Sequence, residues 1–357
     1  MINQNQYVPI LKGKEGEFRA LSKLPEEIKD SIVPIIDLVP NSQKKFDDHI
    51  KSTLGYIKKW QRNRLLYIDG YMIQDDENMS SGQHYMSYVF NELRKESFNV
   101  IPVVSNVTGI LYNEHIKRIV KKDKKGVCVR IFKKATNDLN DELDKLLSYL
   151  ELESSAVDLV IDLRSLEDIS LNEIYDWSVK AISELNYLPN WRSLVISGGN
   201  FPIDLTELKQ DQIHLIARKE WGVWNKLIKS NDVERLPSYS DYAISHPRIS
   251  ADISGVPNAS ASIRYTHESD FYVYRGKGTR QYGFEQFLIL SQTLINSSEY
   301  YGEVHCAGDK FIHICGTEKK KKGNLTTWRW VGTNHHITVV VNQLRQFLRD
   351  FKDSRTS

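Results

Sequence analysis

Cysteine is scarce in this chain: Cys128, Cys306 and Cys315 are its three thiols among 357 residues. So few, so unevenly placed, exclude a disulfide framework and point to a reducing cytoplasm. No apolar run approaches the roughly 20 residues that span a bilayer, so no membrane segment is expected. The opening Met1-Ile2-Asn3-Gln4-Asn5-Gln6 lacks the basic and apolar regions of a signal peptide. Charge of one sign is missing as well. The 48 basic residues nearly cancel 46 acidic ones, leaving +2 and no global nucleic-acid signal. There is no Walker loop, Gly-x-Gly-x-x-Gly fingerprint, His-Glu-x-x-His helix or Gly-x-Ser-x-Gly elbow. P-loop nucleotide hydrolysis, Rossmann dehydrogenase chemistry and α/β-hydrolase chemistry are therefore not expected.

What the chain has is a rhythm. Short β-type runs occur at Pro9–Lys12, Val33–Asp37, Leu65–Asp69, Val100–Ser105, Val127–Arg130, Val157–Asp162, Leu194–Ser197 and Tyr242–His246, most of them followed by a helix-like stretch. Eight such units over about 250 residues predict an α/β fold, a (β/α)8 TIM-like barrel. The runs are near-continuous in Val, Ile and Leu, as strands buried on both faces should be. A doubly wound open sheet competes, but has no need of eight even units. Apolar spacings of three and four predict helices such as Lys44–Gln61, Asp138–Leu152 and Ile213–Lys229. The barrel should occupy residues 7–250. A C-terminal extension, 251–357, should pack on it. Here Ala261–Thr266 and Phe271–Arg275 read as a β-hairpin, Phe284–Ile295 as a helix, Lys310–Ile314 as a strand, and Ile337–Phe351 as a closing helix.

In a barrel the carboxyl ends of the strands build the site. Those ends carry Lys12, Asp37, Asp69, Ser105, Arg130, Asp162 (with Arg164), Ser197 and His246. Converging acids disfavour one another, so cations or a metal must lie among them. Lys12 and Arg130 supply that neutralisation, and a divalent ion at the mouth stays open as a cofactor. Asp37, Asp69 and Asp162 are candidate acid–base groups, His246 a proton carrier and Glu15 a further acid or base. Each lone aspartate could equally cap its loop. Lys12 or Lys14 could hold an anion from the Lys12-Gly13-Lys14-Glu15-Gly16-Glu17 loop, which reads equally as a solvated turn. Backbone amides of Ser197-Gly198-Gly199-Asn200 could cradle phosphate. Arg264, Arg275 and Lys277 alternate with tyrosines on the hairpin and could pin an anion. One of Arg264 and Arg275 is expected to meet Asp37 or Asp162. The His305-Cys306, His313-x-Cys315 and His335-His336 cluster suggests zinc, and strand alternation would set His313 and Cys315 on one side, but without a Cys-x2-Cys pair no metal site is assigned. The seven tryptophans read as packing residues.

Two function classes follow. One is a mouth pocket for a small anionic, phosphorylated or nucleotide-like ligand, with hydrolysis among the reactions it could support; whether the protein is an enzyme stays open. The other is a non-enzymatic module that binds a protein partner, less favourably nucleic acid, through the hairpin and the Lys319–Lys322 loop.

Several segments together resemble the Beta protein family of phages and bacteria. They are Tyr7–Glu17, Pro34-Ile35-Ile36-Asp37, Ser240-Asp241-Tyr242, His246-Pro247, Ile263–Thr266, Tyr274–Gly278, Gly308-Asp309 and Gly332–His336. The resemblance covers nearly the whole chain. It implies a setting of phage–host conflict or antiviral defence, and it implies no particular reaction.

Overall fold

The computed structural model describes residues 2, 5–133, 139–249, 259–318 and 322–356. Its strands are β1 (Val8–Lys12), β2 (Ile35–Asp37), β3 (Leu66–Asp69), β4 (Val100–Ser105), β5 (Val127–Phe132), β6 (Val157–Ser165), β7 (Ser193–Gly199), β8 (Gln212–Ala217), β9 (Ser238–Asp241), β10 (Ser260–His267) and β11 (Asp270–Gly278). The helices are α1 (Glu15–Ser22), α2 (Glu26–Lys29), α3 (Phe46–Ile57), α4 (Tyr85–Lys95), α5 (Ile110–Asp123), α6 (Leu139–Leu150), α7 (Leu171–Ser183), α8 (Lys219–Lys229), α9 (Thr279–Tyr282), α10 (Gln286–Ile295), α11 (Ala307–Glu318) and α12 (Leu325–Thr356). Among the described residues no helix is long and apolar enough to cross a membrane.

Two units divide the chain. The first takes Met1–Lys14, Asp30–Gly198 and Glu220–Asp241; the second takes Glu15–Lys29, Gly199–Lys219 and Tyr242–Ser357. Segments 15–29 and 199–219 thus go with the C-terminal part, and the division is not a single break at residue 250.

The first unit is a closed barrel of strand order β1-β2-β3-β4-β5-β6-β7-β9. The pairings are parallel, and the helices α3 to α8 cover the outside. Both strand faces are buried, which explains the unbroken apolar runs. Register decides which side chains share a layer, because in-register partners on parallel strands project to the same face. Lys12 pairs with Asp37 and Asp37 with Asp69. Ser105 pairs with Arg130, and Phe132 with Asp162.

The eighth barrel strand is Ser238–Asp241, not Tyr242–His246. Ser240 turns inward, its hydroxyl 2.9 Å from that of Ser197. Tyr239 turns outward onto Trp221 and Trp224 of α8, at ring distances of 5.1 and 5.7 Å. Asp241 accepts hydroxyl hydrogen bonds from Tyr7 and Tyr239. The apolar residues that suggested a strand instead form a turn, with Ser245 N donating to Tyr242 O and Ala243 at φ 50°.

In the second unit the β10–β11 hairpin stands as expected, and β8 joins it antiparallel on the far side of β11. Residues 213–217, expected to begin a helix, therefore belong to a strand, and the helix starts only at Lys219. Lys310–Ile314, expected to be a strand, lies inside α11. Its buried residues Gly308, Asp309, Ile312, Cys315 and Gly316 recur at helical spacing, so His313 and Cys315 do not share a side. The core gathers Ile263, Tyr265, Tyr274, Phe287, Leu294, Ile312, Trp328 and Val331. Helix α12 runs well beyond the expected Ile337–Phe351 at its start. It packs closely on α1: a Cβ at Gly16 would come within 2.8 Å of Arg329 Cβ, so only glycine fits there. Lys319, Lys320 and Lys321 lie outside the described residues, and Lys322 pairs with Glu285.

Candidate functional site

Sequence and register place the acids of β2, β3 and β6 around one cation from β5. Arg130 Nη1 donates to Asp37 Oδ1 at 2.7 Å and to Asp69 Oδ2 at 3.0 Å, and its Nε donates to Asp162 Oδ2 at 2.8 Å. All four side chains are 0% exposed. The remaining aspartate oxygens order the loops above the strands. Tyr71 N donates to Asp69 Oδ1 at 3.0 Å and Arg164 N to Asp162 Oδ1 at 2.9 Å. Asp37 differs: its Oδ2 is buried and has no hydrogen-bond partner among the described residues. Lys12, also buried, shares the layer through its register with Asp37.

A second tier covers this cluster. Tyr71 and Phe132 pack with ring centroids 4.9 Å apart. The Arg130 guanidinium lies 5.1 and 4.8 Å from those rings, and that of Arg164 lies 5.3 and 4.7 Å from the same two. Arg164 Nη1 also donates to the Tyr71 hydroxyl. Arg164 holds the left-handed conformation at φ 61°, which a side chain with Cβ adopts at some energetic cost. Tyr71 and Arg164 are partly exposed, so they form the solvent-facing cover of the buried acids.

The electrostatics follow from burial. Desolvation, reinforced by the neighbouring Asp69 charge and opposed by Arg130, pushes Asp37 up to about 7. Asp69 is raised as well, again chiefly by burial, with Arg130 and the Tyr71 amide pulling it down. Burial and the Asp37 charge raise the Tyr71 phenol. The layer can therefore hold an exchangeable proton near neutral pH, and Asp37 is the group that holds it.

At the other end of the barrel a separate acid is closed off. Asp158 accepts from Arg192 Nε and Nη2 at 3.0 and 2.6 Å, from Ser193 Oγ at 2.7 Å, and from the Tyr67 hydroxyl. Every oxygen is satisfied, as a structural plug requires.

Of the residues singled out in the sequence, Lys12, Asp37, Asp69, Arg130, Asp162 and Arg164 come together. Several others do not. Arg130 is committed to three carboxylates, so it positions the acids and is not an anion hook. Gly198 lies within β7, in register with Asp241, rather than in a cradling turn. A Cβ on it would press to 3.0 Å from the Leu166 side chain, so close packing accounts for this glycine. Ser197 bonds Ser240, and Gly199 ends the strand. Lys14 and Glu15 are exposed, and Glu15 lies 3.9 Å from Arg19, one turn on. His246 is buried in the second unit, five residues beyond the last barrel strand, where its Nδ1 accepts from Arg248 N. The hairpin arginines, one of them expected at Asp37 or Asp162, bond within the second unit: Arg264 Nη1 donates to Ile244 O and Arg275 Nη1 to Leu208 O. Lys277 pairs with Asp211 at 3.1 Å, an exposed ion pair.

Sequence reasoning missed Tyr71 and Phe132. His305, Cys306 and His335, singled out in the sequence as a weak zinc pattern, do meet in a polar hub of the second unit, but through Asp309 and Tyr265, which sequence reasoning missed, and without His313 or Cys315. There Asp309 accepts from His335 Nδ1 at 2.8 Å, Cys306 Sγ at 3.0 Å and the Tyr265 hydroxyl at 2.8 Å, while His335 Nε2 meets Thr266 O at 2.8 Å. With His305 this set could hold a metal ion, its three ligand atoms lying within 4.8 Å of one another. A cavity of about 700 Å³ lined by Tyr175, Asn225, Lys226, Lys229, Ser230 and Asp232 lies on the outer helices, away from the strand ends.

A family model described as "Beta protein" matches residues 7–342. The chain belongs to the Beta protein family. The match spans both the barrel of this Beta protein family member and most of its second unit. No curated protein matches it. Among solved structures, a dihydrodipicolinate synthase family protein from Coccidioides immitis is similar at 11% identity and a TM-score of 0.32, over 67% of this chain and 68% of that one.

Proposed function

We propose that the barrel mouth binds a small anionic molecule and exchanges a proton with it at Asp37. The observation that carries this reading is the Asp37 carboxyl: one oxygen fixed by Arg130, the other buried without a partner, and its proton held to about 7. A fixed carboxyl with a lone pair or proton to spare is what general acid–base work asks for. Lys12 in the same layer and Arg164 above it are the cations that would attract the anion, because Arg130 is already engaged. Entry requires the Tyr71–Arg164 cover to part, since the acids themselves are sealed. The left-handed Arg164 supports a functional origin for that cover. A phosphorylated or nucleotide-like ligand suits the two cations, and hydrolysis is one reaction the acid could assist. Phage–host conflict is the biological setting the family suggests.

The test is to express wild-type, Asp37→Asn and Arg164→Ala proteins in a host challenged with phages, and to profile small phosphorylated metabolites that purified protein binds or converts. The reading expects Asp37→Asn to lose turnover while keeping ligand binding, and Arg164→Ala to lose binding. Equal behaviour of Asp37→Asn and wild type in both assays would refute it.

The complete burial of Arg130, Asp37, Asp69 and Asp162 favours a second reading, a purely structural clasp across the barrel. On that reading Asp37→Asn changes stability and nothing else.

A further inference from the structure

Two arginines of the second unit converge on one turn. Arg264 of β10 donates through Nη1 to Ile244 O at 2.7 Å, and Arg329 of α12 donates through Nη1 to Ser245 Oγ at 2.7 Å. Ile244 and Ser245 are consecutive and buried, in the turn that holds Ala243 at positive φ. Among the described residues no carboxylate lies within ion-pairing distance of either guanidinium; the buried Arg130 of the first unit has three. Arg264 also stacks 4.5 Å from the Phe201 ring, which fixes its plane and leaves its N–H edge as the polar face. Both residues are partly exposed.

Packing two like charges side by side is unfavourable unless something anionic joins them. Burial and the Arg329 charge accordingly push Arg264 well below an ordinary guanidinium. We propose that Arg264, Arg329 and the Ser245 hydroxyl form a binding site for a phosphoryl group. Two guanidinium forks match the charge and the oxygen geometry of a phosphate dianion, and the hydroxyl adds a third donor. The turn at 244–245 sets the two forks a fixed distance apart, so the site is built by the fold. This proposal is independent of the chemistry assigned to Asp37.

The full chain would be titrated by calorimetry with inorganic phosphate, with glycerol phosphate, and with chloride at matched ionic strength. Saturable binding of either phosphate species, absent with chloride, is expected; the tighter of the two tells whether free phosphate or a phosphomonoester is the natural form. Arg264→Met and Arg329→Met should each weaken that binding about tenfold or more, the size of a lost charge-assisted contact. In phosphate-free buffer the same variants should melt at or above the wild-type temperature, because a like-charge repulsion has been removed. A structural role alone predicts the opposite. Should a Met variant fail to fold, Arg329→Lys, which keeps the charge and loses the fork, takes its place. Wild-type protein that responds to phosphate no more than to chloride overturns the proposal, as do variants that bind phosphate with unchanged affinity.

Discussion

Arg130 Nη1 lies 2.7 Å from Asp37 Oδ1, while the other oxygen of the same carboxyl, equally buried, accepts no hydrogen bond among the described residues. That asymmetry makes Asp37 the group of the cluster whose protonation matters most. Its folded-state value near 7 stands above the unfolded one near 4, so the sign is fixed: stability is fully present below about 4, falls as pH rises towards 7, and is flat beyond. At its steepest the loss is about 1.4 kcal/mol per pH unit. Urea unfolding of wild type and Asp37→Asn between pH 4.5 and pH 8 measures it, since asparagine cannot titrate. The wild type should lose stability relative to the variant across that range; parallel curves would show that Asp37 is ionised throughout.

Arg130 balances the three acids, so Arg130→Met should leave uncompensated carboxylates inside the barrel. Removing one partner of a buried ion cluster costs about 3–5 kcal/mol. The loss should be larger at pH 8 than at pH 5, because at pH 5 Asp37 already carries its proton and one fewer carboxylate is left uncompensated. Arg130→Lys keeps the charge but cannot reach three carboxylates from one planar group, and should fall between the two. Chemical denaturation at both pH values decides.

Much of this was legible in the chain, and the failures have physical causes. Strand ends such as Asp37, Asp69 and Asp162 could be found because a parallel barrel strand stops where its apolar run stops. Their pairing with Arg130 followed from charge balance. Tyr71 and Phe132 escaped notice because an aromatic beside a strand end looks like any core residue; only the two stacked guanidiniums distinguish them. The eighth strand was misplaced because Ser238 and Ser240 face inward, where apolar residues were expected, while Ile244 sits in a turn. The residues of β8 satisfy helical spacing by themselves, and their true partner, β11, is remote in sequence. Phe311 to Cys315 alternates like a strand, but its burial follows Ile312 and Cys315 with a period of three.

Arg164 offers a test of strain. Its φ of 61° is one that glycine adopts freely and alanine does not. Comparing Arg164→Ala with Arg164→Gly removes the guanidinium in both and isolates the backbone. Arg164→Gly should be the more stable by about 1 kcal/mol, although glycine ordinarily destabilises a folded chain. Both should lose binding of the anionic ligand equally. Thermal unfolding gives the first comparison and ligand titration the second; a less stable glycine variant would mean that Arg164 relaxes out of the left-handed region in solution.

The hub of the second unit carries the opposite sign. Burial alone would raise the Asp309 carboxyl, but the charge and hydrogen bond of His335, with donors from Cys306 and Tyr265, hold it below its ordinary value. A depressed folded value means stability that is present above the unfolded value near 4 and lost as pH falls through the folded one. Asp309→Asn should therefore cost about 3 kcal/mol at pH 7, because the buried donors of His335, Cys306 and Tyr265 lose the carboxylate they all point at. The gap between variant and wild type should close as pH drops below about 4, where the wild-type carboxyl begins to protonate. Cys306→Ser keeps a donor to the same oxygen and should cost far less than Asp309→Asn. Urea titrations at pH 7 and at the lowest pH where the protein stays folded measure both. A gap that does not change with pH would show that the folded and unfolded chains bind the Asp309 proton alike, and that the carboxylate charge is not what holds this hub together.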